Sequence, residues 1–405
     1  MKLRLASKQG SRILYFGQSG RNLIENYLDG DDLAQFRSPS EEVVIPAALR
    51  MLRRGLPSGE RYLQGFLEHT RPTHAITFED NFLNFYLIKK FLPSCITVAI
   101  QNGRRDHFSH EPNRNFFDEL HSLTNRGGGA DYVCTFADTG TALYQNALGQ
   151  VTKIIPIGSL RNNALPIQSE VVETQSRRIL FVSSLPNETD ADWKEHWKQR
   201  TFGYYGQHRL TYEDMYKAEA VVSRRCARAA RELGIEFIIL GKKPRERSME
   251  HDFYAHAIPD SPWRLQSPVL QSSNYRFVNR HDVIITVDST LGYEFLSQGL
   301  RVGFVSIRLS LLGLVDRRDC NFGFPSVKES SGPFWTTVPD LDEIDRVIHD
   351  TAGIAHHDLS YLVDHYSPIV MNFDNGNTRF VSMLNEIGLS NRGPRVWDEF
   401  RIPPA

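Results

Sequence analysis

Short, continuous apolar segments alternate with helix-length segments along most of this chain. A strand that is apolar on both faces is typical of a parallel sheet covered by helices, whereas a half-exposed strand alternates apolar and polar residues. The repeated strand–helix order therefore predicts an α/β doubly wound fold. The predicted strands are residues 12–16, 74–78, 95–100, 132–136, 153–157, 178–182, 236–240, 283–287 and 302–305.

The helix with the clearest sequence signals is predicted at residues 213–233. Thr211 and Asp214 have the spacing of an N-terminal capping pair, and Gly234 is a typical stop at the C-terminal end. Apolar side chains recur on one face of this segment, so that face is expected to pack against the sheet.

The chain length limits the number of domains. At roughly 150 residues per domain, 405 residues suggest two domains or three. A polar stretch at 158–176 has no clear periodicity, and we interpret it as a linker between two halves that each look like a Rossmann-type sheet. We predict an N-terminal domain at 1–165, a C-terminal domain at 166–370, and a C-terminal helical segment at 371–405 that could pack back on the N-terminal domain.

The cysteines and apolar segments indicate the compartment. Cys95, Cys134, Cys226 and Cys320 lie far apart without any Cys-x-x-Cys pair, so neither a zinc knuckle nor a disulfide framework is expected. No apolar run approaches the ~20 residues that span a bilayer, and the N-terminus lacks the apolar core of a signal peptide. We therefore expect a soluble, cytoplasmic protein.

Charge and histidine spacing argue against two other classes of partner. The formal net charge of −1 argues against a protein that binds nucleic acid by bulk phosphate attraction. The spacing His107-x-x-His110-Glu111 resembles a metal site but lacks the His-Glu-x-x-His order of zinc-dependent hydrolases. The sequence therefore predicts no nucleic-acid partner, no metal and no cofactor.

The segment that follows the predicted strand 283–287 has the features of a phosphate-binding turn. Asp288, Ser289 and Thr290 would lie at the carboxyl end of the strand, where open α/β sheets bind ligands. The helix that begins there presents unpaired N–H groups and the positive end of its dipole, and both suit a phosphate. Gly292 would keep the first turn open, and Glu294 could reach two ribose hydroxyls of a nucleotide.

A simpler interpretation of this turn is that Ser289 or Thr290 only caps the helix. A capping box places its acid three residues after the cap. Glu294 is four residues after Thr290 and five after Ser289, so it has no obvious capping role. Ligand binding is therefore the preferred interpretation.

Asp288, Ser289 and Glu294 match the Asp-Ser-Gly-Gly-x-x-Glu pattern of the UDP-GlcNAc 2-epimerase group, although Thr290 and Leu291 replace its two glycines. The wider chain resembles bacterial surface-carbohydrate biosynthesis proteins of the GT-B type, the transferases of lipopolysaccharide and capsule loci. The segments that carry this resemblance are ITFEDN (76–81), AIQNGRRD (99–106), IIPIGSLRNN (154–163), VDSTLGYE (287–294) and FDNGN (373–377).

The resemblance implies a GT-B fold with two Rossmann-like domains facing a central cleft. It also implies a glycosyltransferase that uses a nucleotide sugar as substrate, which could be CMP-Kdo, and a glycan or glycolipid acceptor. Such an enzyme would work in the cytoplasm or at the inner face of the plasma membrane. A nucleotide-sugar epimerase uses the same architecture and is the alternative; a non-catalytic nucleotide-sugar-binding protein is a third.

Further donor contacts are predicted at the same edge of the C-terminal half. Ser183 and Ser184 end its first strand, Lys242 follows the strand that ends at Leu240, and Arg308 follows the strand at 302–305. For Lys242 the common alternative is a solvated basic loop.

In the N-terminal half, two predicted strands end in polar clusters. A glycosyl transfer needs a base for the acceptor hydroxyl or a carboxylate beside the oxocarbenium-like centre. Glu79 is the first candidate for that carboxylate, with Asp80 and Asp106 behind it. The alternative is a solvated turn with surface arginines. The candidate acceptor-binding residues are Gln101, Asn102, Arg104 and Arg105.

Residues 47–54 (AALRMLRR) are apolar and basic at helical spacing. Docking on an anionic membrane is one interpretation, since the acceptor could be linked to a lipid. A helix that faces the core is the preferred one.

Overall fold

The chain folds into two compact units in the computed structural model. Unit 1 comprises Met1–Arg104, Asn115–Ala164 and Asp374–Val396; unit 2 comprises Arg105–Arg114, Leu165–Phe373 and Trp397–Ala405. The structure describes residues 2–4, 12–28, 33–38, 40–105, 108–109, 112, 115–165, 167, 177–186, 193–241, 248–268, 273–314, 322–323 and 326–394.

A parallel sheet forms the centre of unit 1. Its strands lie in the order β3-β2-β5-β6-β8-β9, and every neighbouring pair is parallel. A separate parallel pair joins β1 to β4. The bounds of these strands are β1 Lys2–Arg4, β2 Ile13–Phe16, β3 Leu33–Phe36, β4 Glu42–Val44, β5 His74–Thr77, β6 Ile96–Ile100, β8 Tyr132–Thr135 and β9 Lys153–Pro156.

Helices follow the strands of unit 1 and enclose its core with them. They are α1 Arg21–Glu25, α2 Ile45–Leu52, α3 Gly59–Thr70, α4 Ile88–Phe91, α5 Phe116–Thr124, α6 Asp138–Leu148, α7 Leu160–Ala164 and α16 Thr378–Glu386, with a 3₁₀ helix at Leu83–Leu87. The core between them contains Leu14, Phe16, Phe66 and Phe85, each no more than 1% exposed.

The last described helix, α16, packs within unit 1. Phe380 meets the Tyr27 ring edge to face at 5.3 Å. The Asn377 amide donates to the Tyr27 hydroxyl at 2.6 Å and accepts from the Asn163 amide at 2.9 Å. His74 and the Ile387 carbonyl form a buried hydrogen bond of 2.9 Å. These buried polar contacts fix the C-terminal segment within unit 1.

A second parallel sheet forms the centre of unit 2. Its order is β14-β13-β10-β15-β16-β18-β17, parallel except for the antiparallel β17–β18 pair. A small antiparallel sheet joins β7, β11 and β12. The bounds are β7 Phe108–Ser109, β10 Arg178–Val182, β11 Thr201–Tyr205, β12 His208–Thr211, β13 Glu236–Leu240, β14 Arg264–Gln266, β15 Val283–Thr286, β16 Arg301–Val305, β17 Ser331–Gly332 and β18 Trp335–Thr336.

The longest described helix, α9, packs on the sheet of unit 2. It starts with the predicted capping box, in which Thr211 and Asp214 bond each other's backbone N–H groups, and ends at Gly234 with φ +67. These predictions are confirmed. The helices of unit 2 are α8 Trp193–Gln199, α9 Tyr212–Leu233, α10 Ser248–Ala257, α11 Ser273–Phe277, α12 Thr290–Ser297, α13 Arg308–Leu311, α14 Leu341–Gly353 and α15 His356–Val370.

Every predicted strand is present, with ends that agree within a residue, and most of these strands are buried on both faces as the apolar runs require; β9, at the edge of its sheet, is exposed at Lys153 and half-buried elsewhere. Two other expectations agree with the structure only in part. The stretch interpreted as a linker begins with helix α7, whose polar Asn162 and Asn163 are fully buried, so composition hid the packing. The helix predicted within 47–54 covers Ile45–Leu52 and packs Ala47 into the core, as the preferred interpretation expects, while Leu49 and Leu52 are each 54% exposed.

Candidate functional site

The strand order of unit 2 locates its candidate site. In chain order its parallel strands run 3-2-1-4-5-6, with β10 first and β15 fourth. The connection that follows β10 leads to β13 on one side, and the connection that follows β15 leads to β16 on the other side. Ligands of open α/β sheets bind outside the carboxyl ends of the strands at such a switch point. Ser183 and Ser184 follow β10, while Asp288 and Ser289 follow β15. Four predicted donor-binding residues therefore flank the switch point of unit 2.

Helix α12 begins directly at this switch point. Ser289 is its N-cap and accepts a long hydrogen bond of 3.4 Å from the Leu291 N–H, while the Ser289 N–H donates to the Thr286 hydroxyl at 3.0 Å. Thr290 is the first residue of the helix. The Gly292 N–H donates to the Ser289 carbonyl at 3.0 Å, and the positive end of the helix dipole makes this first turn suited to an anion.

Gly292 packs this first turn onto the sheet. A Cβ at Gly292 would lie 2.6 Å from the Thr286 methyl and 3.2 Å from the Phe304 ring. The glycine is therefore required for close helix–strand packing on the inner side of α12. The sequence predicted instead that Gly292 keeps the ligand side of this turn open. Periodicity alone does not show whether a residue in the first turn of a helix faces the sheet or the ligand.

Glu294 lies one turn inside α12 and is 6% exposed. The Tyr275 hydroxyl, from α11, donates to its Oε2 at 2.5 Å. This hydrogen bond orients the carboxylate, and Tyr275 is itself 5% exposed. Tyr275 had not been singled out from the sequence; an aromatic residue ahead of a strand carries no distinct signal of its own.

A buried ion-pair network lies behind the switch point. The Arg308 Nε donates to Asp288 Oδ2 at 2.7 Å, and its Nη2 donates to Glu219 Oε1 at 2.6 Å and to the Ser184 hydroxyl at 2.6 Å. A further guanidinium N–H bonds the Met215 carbonyl. Three residues predicted separately as donor contacts, Asp288, Ser184 and Arg308, are thus brought together.

The charges of this network are set by burial and by one another. Burial by itself would lower the pKa of Arg308, but the carboxylates of Asp288 and Glu219 outweigh it and the net pKa is raised. Burial raises the pKa of Glu219, against the opposing effects of Arg308 and Ser184. Arg308 is 5% exposed and stays cationic, whereas the Asp288 side chain keeps 27% of its surface in solvent. The network therefore fixes Asp288 with one side toward solvent.

Glu219 was missed by the sequence analysis, although a signal existed. It lies on the buried face of α9, four residues after Met215 and three before Val222, on the same face as Cys226. An acid in the middle of an apolar helix face costs free energy unless it has a partner. That spacing predicts a buried cation, and Arg308 supplies it.

Ser183 faces the interior of unit 2. Its hydroxyl donates to Glu250 Oε1 at 2.6 Å, and both side chains are 1% exposed. The nearby Tyr254 is fully buried, and burial raises its pKa well above the usual value. This environment favours a structural role for Ser183. Lys242 lies outside the described residues.

The strand order of unit 1 also contains a switch point. In chain order its main sheet runs 2-1-3-4-5-6, so the change of direction lies between β2 and β5. Glu79 follows β5, and the glycine-rich loop Gly17-Gln18-Ser19-Gly20 follows β2. The half-buried Glu79 carboxylate accepts from the Gln18 N–H at 3.2 Å, and its own N–H donates to the Thr77 hydroxyl at 3.0 Å.

Gly17 is the residue that allows this contact. Its φ is +112, and a Cβ there would lie 2.2 Å from Glu79 Oε2. The loop was missed by the sequence analysis. Its signal was two glycines, three residues apart, directly after an apolar strand, which is a common pattern where backbone must approach a ligand or side chain closely.

The other acids and amides of this edge are used inside unit 1. Asp80 is fully buried, accepts from the Asn102 N–H at 3.2 Å, and accepts from the Tyr144 hydroxyl. Gln101 accepts from the Phe136 N–H at 2.8 Å. These bonds tie neighbouring strand ends together, and they favour structural roles for Asp80 and Gln101.

The basic residues after β6 fall on both sides of the unit boundary. Arg104 ends a stretch of unit 1, and Arg105 begins a stretch of unit 2; each is half-buried. Asn102 is exposed. Asp106, His107, His110 and Glu111 lie outside the described residues. Elsewhere in the described ranges, no group of three or more His, Cys, Asp or Glu side chains could hold a metal ion.

Two Rossmann-like units, each with polar residues at its switch point, define a protein of the GT-B type, as the sequence predicted. Residues 98–388 match the model of a family described as "putative O-antigen biosynthesis protein". The chain belongs to this family, and the predicted relationship to surface-carbohydrate biosynthesis is confirmed.

Solved structures that resemble this chain are distant from it in sequence. The S. aureus MnaA–UDP co-structure has 9% identity and a TM-score of 0.53, over 95% of this chain and 99% of that one. A UDP-N-acetylglucosamine 2-epimerase has 11% identity and a TM-score of 0.51, over 97% and 100%. The wall teichoic acid polymerase TagF has 11% identity and a TM-score of 0.49, over 93% and 89%. No curated protein matches the sequence.

Within the described residues, no helix has the length and apolar character needed to cross a membrane.

Proposed function

We propose that the protein is a glycosyltransferase that moves a sugar from a nucleotide-sugar donor to an acceptor in bacterial surface polysaccharide or lipopolysaccharide synthesis. The observation that carries this proposal is the start of α12 at the switch point of unit 2, with Ser289 as a weak cap and Glu294 one turn further on. The positive end of the helix dipole favours a phosphate there.

Unit 2 binds the donor in this proposal. Ser289 and Thr290 contact the phosphates, and Glu294 accepts hydrogen bonds from the ribose hydroxyls. The hydroxyl of Tyr275 occupies one oxygen of Glu294, so the carboxylate is held in one orientation before the nucleotide arrives. Asp288, held by Arg308, lines the same edge, and Lys242 adds a contact to the phosphates.

Unit 1 binds the acceptor and supplies the catalytic carboxylate. Glu79 takes the proton of the acceptor hydroxyl or stabilises the oxocarbenium-like centre. Its contact with the Gln18 N–H supports this role, because it holds the carboxylate at the switch point of unit 1. Asp80 and Asp106 rank behind Glu79. The proposed acceptor contacts are Asn102, Arg104 and Arg105, with Gln101 ordering the loop.

The acceptor is a glycan or glycolipid, so we place the reaction in the cytoplasm at the inner face of the plasma membrane. The nucleotide sugar is a substrate. The N-terminus of α12 stabilises its phosphates, as a metal ion does in other transferases. CMP-Kdo is one donor to test, and a UDP-sugar is another, since the S. aureus MnaA structure contains UDP.

The alternative is a nucleotide-sugar epimerase, which the match of Asp288, Ser289 and Glu294 to the epimerase pattern favours. Thr290 and Leu291 stand where that pattern has glycines, so the backbone would approach the ligand less closely. Incubation with UDP-GlcNAc alone separates the two enzymes, because an epimerase needs no acceptor. A non-catalytic binder would bind nucleotide tightly and turn over no donor.

A thermal-shift screen with CMP, UDP, GDP and CDP tests the proposal. A ligand at a hundred times its Kd stabilises the folded state by about 2.7 kcal/mol. We expect one nucleotide to raise the Tm, and the matching labelled nucleotide sugar to transfer its sugar to a membrane glycan fraction. The proposal would be wrong if no nucleotide raised the Tm, or if the bound donor were never transferred.

A further inference from the structure

The connection between α2 and α3 exposes an unusual concentration of apolar surface. Eight large apolar side chains are exposed among the described residues, and three of them fall within residues 49–56. Leu49 and Leu52 are each 54% exposed, and Leu56 is 81% exposed. Single exposed leucines are common on soluble proteins, but neighbouring ones mark an interaction surface. We call residues 49–56 the Leu-Arg tip.

Packing of α2 on α3 directs these leucines outward. A Cβ at Gly65 of α3 would lie 2.6 Å from the Ala47 carbonyl and 3.3 Å from the Met51 N, so the two helices touch at Gly65. At about 100° per residue, Leu52 and Leu49 stand roughly 140° and 200° around the helix from Ala47. The close contact at Gly65 therefore fixes both leucines on the outer face.

The charge of the tip is one-sided. Arg50, Arg53 and Arg54 lie within it, and residues 43–59 contain no acidic residue. Arg53 and Arg54 are exposed. Arg54 pairs with Glu68 at 2.5 Å. Both side chains of this pair are more than a third exposed, so Glu68 offsets the charge of Arg54 only in part.

We propose that the Leu-Arg tip docks the protein on an anionic phospholipid surface. The three leucines enter the boundary between headgroups and acyl chains, and Arg53 and Arg54 lie at the lipid phosphates. Amphipathic segments with leucine on one side and arginine beside it bind membranes in this way, through buried apolar area and attraction to anionic lipids. This surface would bring the enzyme to a lipid-linked acceptor, and in that respect it deepens the proposed function.

A second copy of the chain is the competing occupant. Two copies related by a twofold axis would bring their own arginines together, because an isologous contact pairs the same patch with itself. Residues 43–59 of the second copy would bring no acid to these arginines, of which Arg54 already pairs with Glu68 of its own chain. An anionic bilayer has the complementary charge, so the charge pattern favours it.

The test measures binding of the full chain to vesicles without any nucleotide sugar, so its result does not depend on transferase activity. Vesicles of phosphatidylcholine with 30% phosphatidylglycerol are compared with pure phosphatidylcholine by co-sedimentation. The apolar variant is Leu49→Ser/Leu52→Ser/Leu56→Ser. Its matched control removes three exposed apolar side chains elsewhere and is Val151→Ser/Leu233→Ser/Leu341→Ser.

The charge variant is Arg53→Gln/Arg54→Gln, with Arg126→Gln/Arg231→Gln as the control on other exposed arginines. We expect the wild type and both controls to bind anionic vesicles alike. The leucine variant should bind at least about tenfold more weakly, and the arginine variant about fivefold more weakly per residue at low salt.

Three results would overturn the proposal. The wild type fails to sediment with anionic vesicles, or both tip variants bind as well as their controls. Alternatively, analytical ultracentrifugation shows a dimer that the leucine variant dissociates, and the tip is then an interface between two copies.

Discussion

Replacement of Arg308 by methionine tests the buried network behind the candidate donor site. The substitution keeps an unbranched side chain but removes the guanidinium between Glu219 and Asp288. Breaking a buried ion pair by removing one partner costs roughly 3–5 kcal/mol, because the other charge is left without compensation. Glu219 is fully buried and cannot rehydrate, so the free energy of unfolding of unit 2 should fall by about that amount.

This loss corresponds to a large thermal shift. A domain of 150–250 residues loses about 2–4 °C per kcal/mol, so the Tm should fall by roughly 6–20 °C. Differential scanning calorimetry of the full chain measures it. The matched control is Arg346→Met, which removes a guanidinium 35% exposed and paired with Glu343 and Asp350 on the surface. Exposed pairs contribute at most about 1 kcal/mol.

The pH dependence gives a second, independent readout. Burial already raises the pKa of Glu219 with Arg308 present, and removing the arginine removes an effect that lowers it. The folded variant then holds a proton more tightly than the unfolded chain, so its stability falls as the pH rises. The deficit of Arg308→Met relative to wild type should therefore be smaller at pH 5 than at pH 8. Equal losses for Arg308→Met and Arg346→Met, or a deficit that does not depend on pH, would refute the network.

Three further predictions concern catalysis. Glu79→Gln should lower turnover at least about 10²-fold with little change in nucleotide affinity; a near-normal rate would remove Glu79 from the mechanism. Gly17→Ala should reproduce much of that loss, because the added Cβ would lie 2.2 Å from Glu79 Oε2 and push the carboxylate away, and because a φ of +112 disfavours alanine. The control is Gly149→Ala, which is also at positive φ but has open space around it. Chelation with EDTA should leave turnover unchanged, since the α12 N-terminus serves the phosphates; a loss restored by Mg²⁺ would contradict this.

The sheet arrangement was only partly predictable from the sequence. Continuous apolar runs located the strands, and the polar residues after them located the ligand edge, because parallel strands end together. The strand orders 3-2-1-4-5-6 of unit 2 and 2-1-3-4-5-6 of unit 1 could not be predicted from the periodicity of apolar residues. They depend on which neighbour each strand pairs with, and the switch points follow from them.

Neighbouring residues at a strand end could not be told apart from the sequence. Glu79 and Asp80 are adjacent acids, yet Glu79 contacts the Gly17 loop and Asp80 is buried against Tyr144. Side chains alternate in direction along a strand, but after its last ladder bond the direction depends on the loop. The roles of Arg308 and Glu219 were hidden for another reason, since 89 residues separate the two partners of the ion pair.

Calorimetric titration of the nucleotide found by the thermal-shift screen into wild type and Glu294→Ala tests the account most directly. Glu232→Ala, an exposed acid on α9, is the control. Losing a charged hydrogen-bonding partner costs ~1.5–3 kcal/mol, so Kd should rise about ten- to a hundredfold in Glu294→Ala only. An unchanged Kd in a folded Glu294→Ala protein would contradict the placement of the nucleotide at the start of α12.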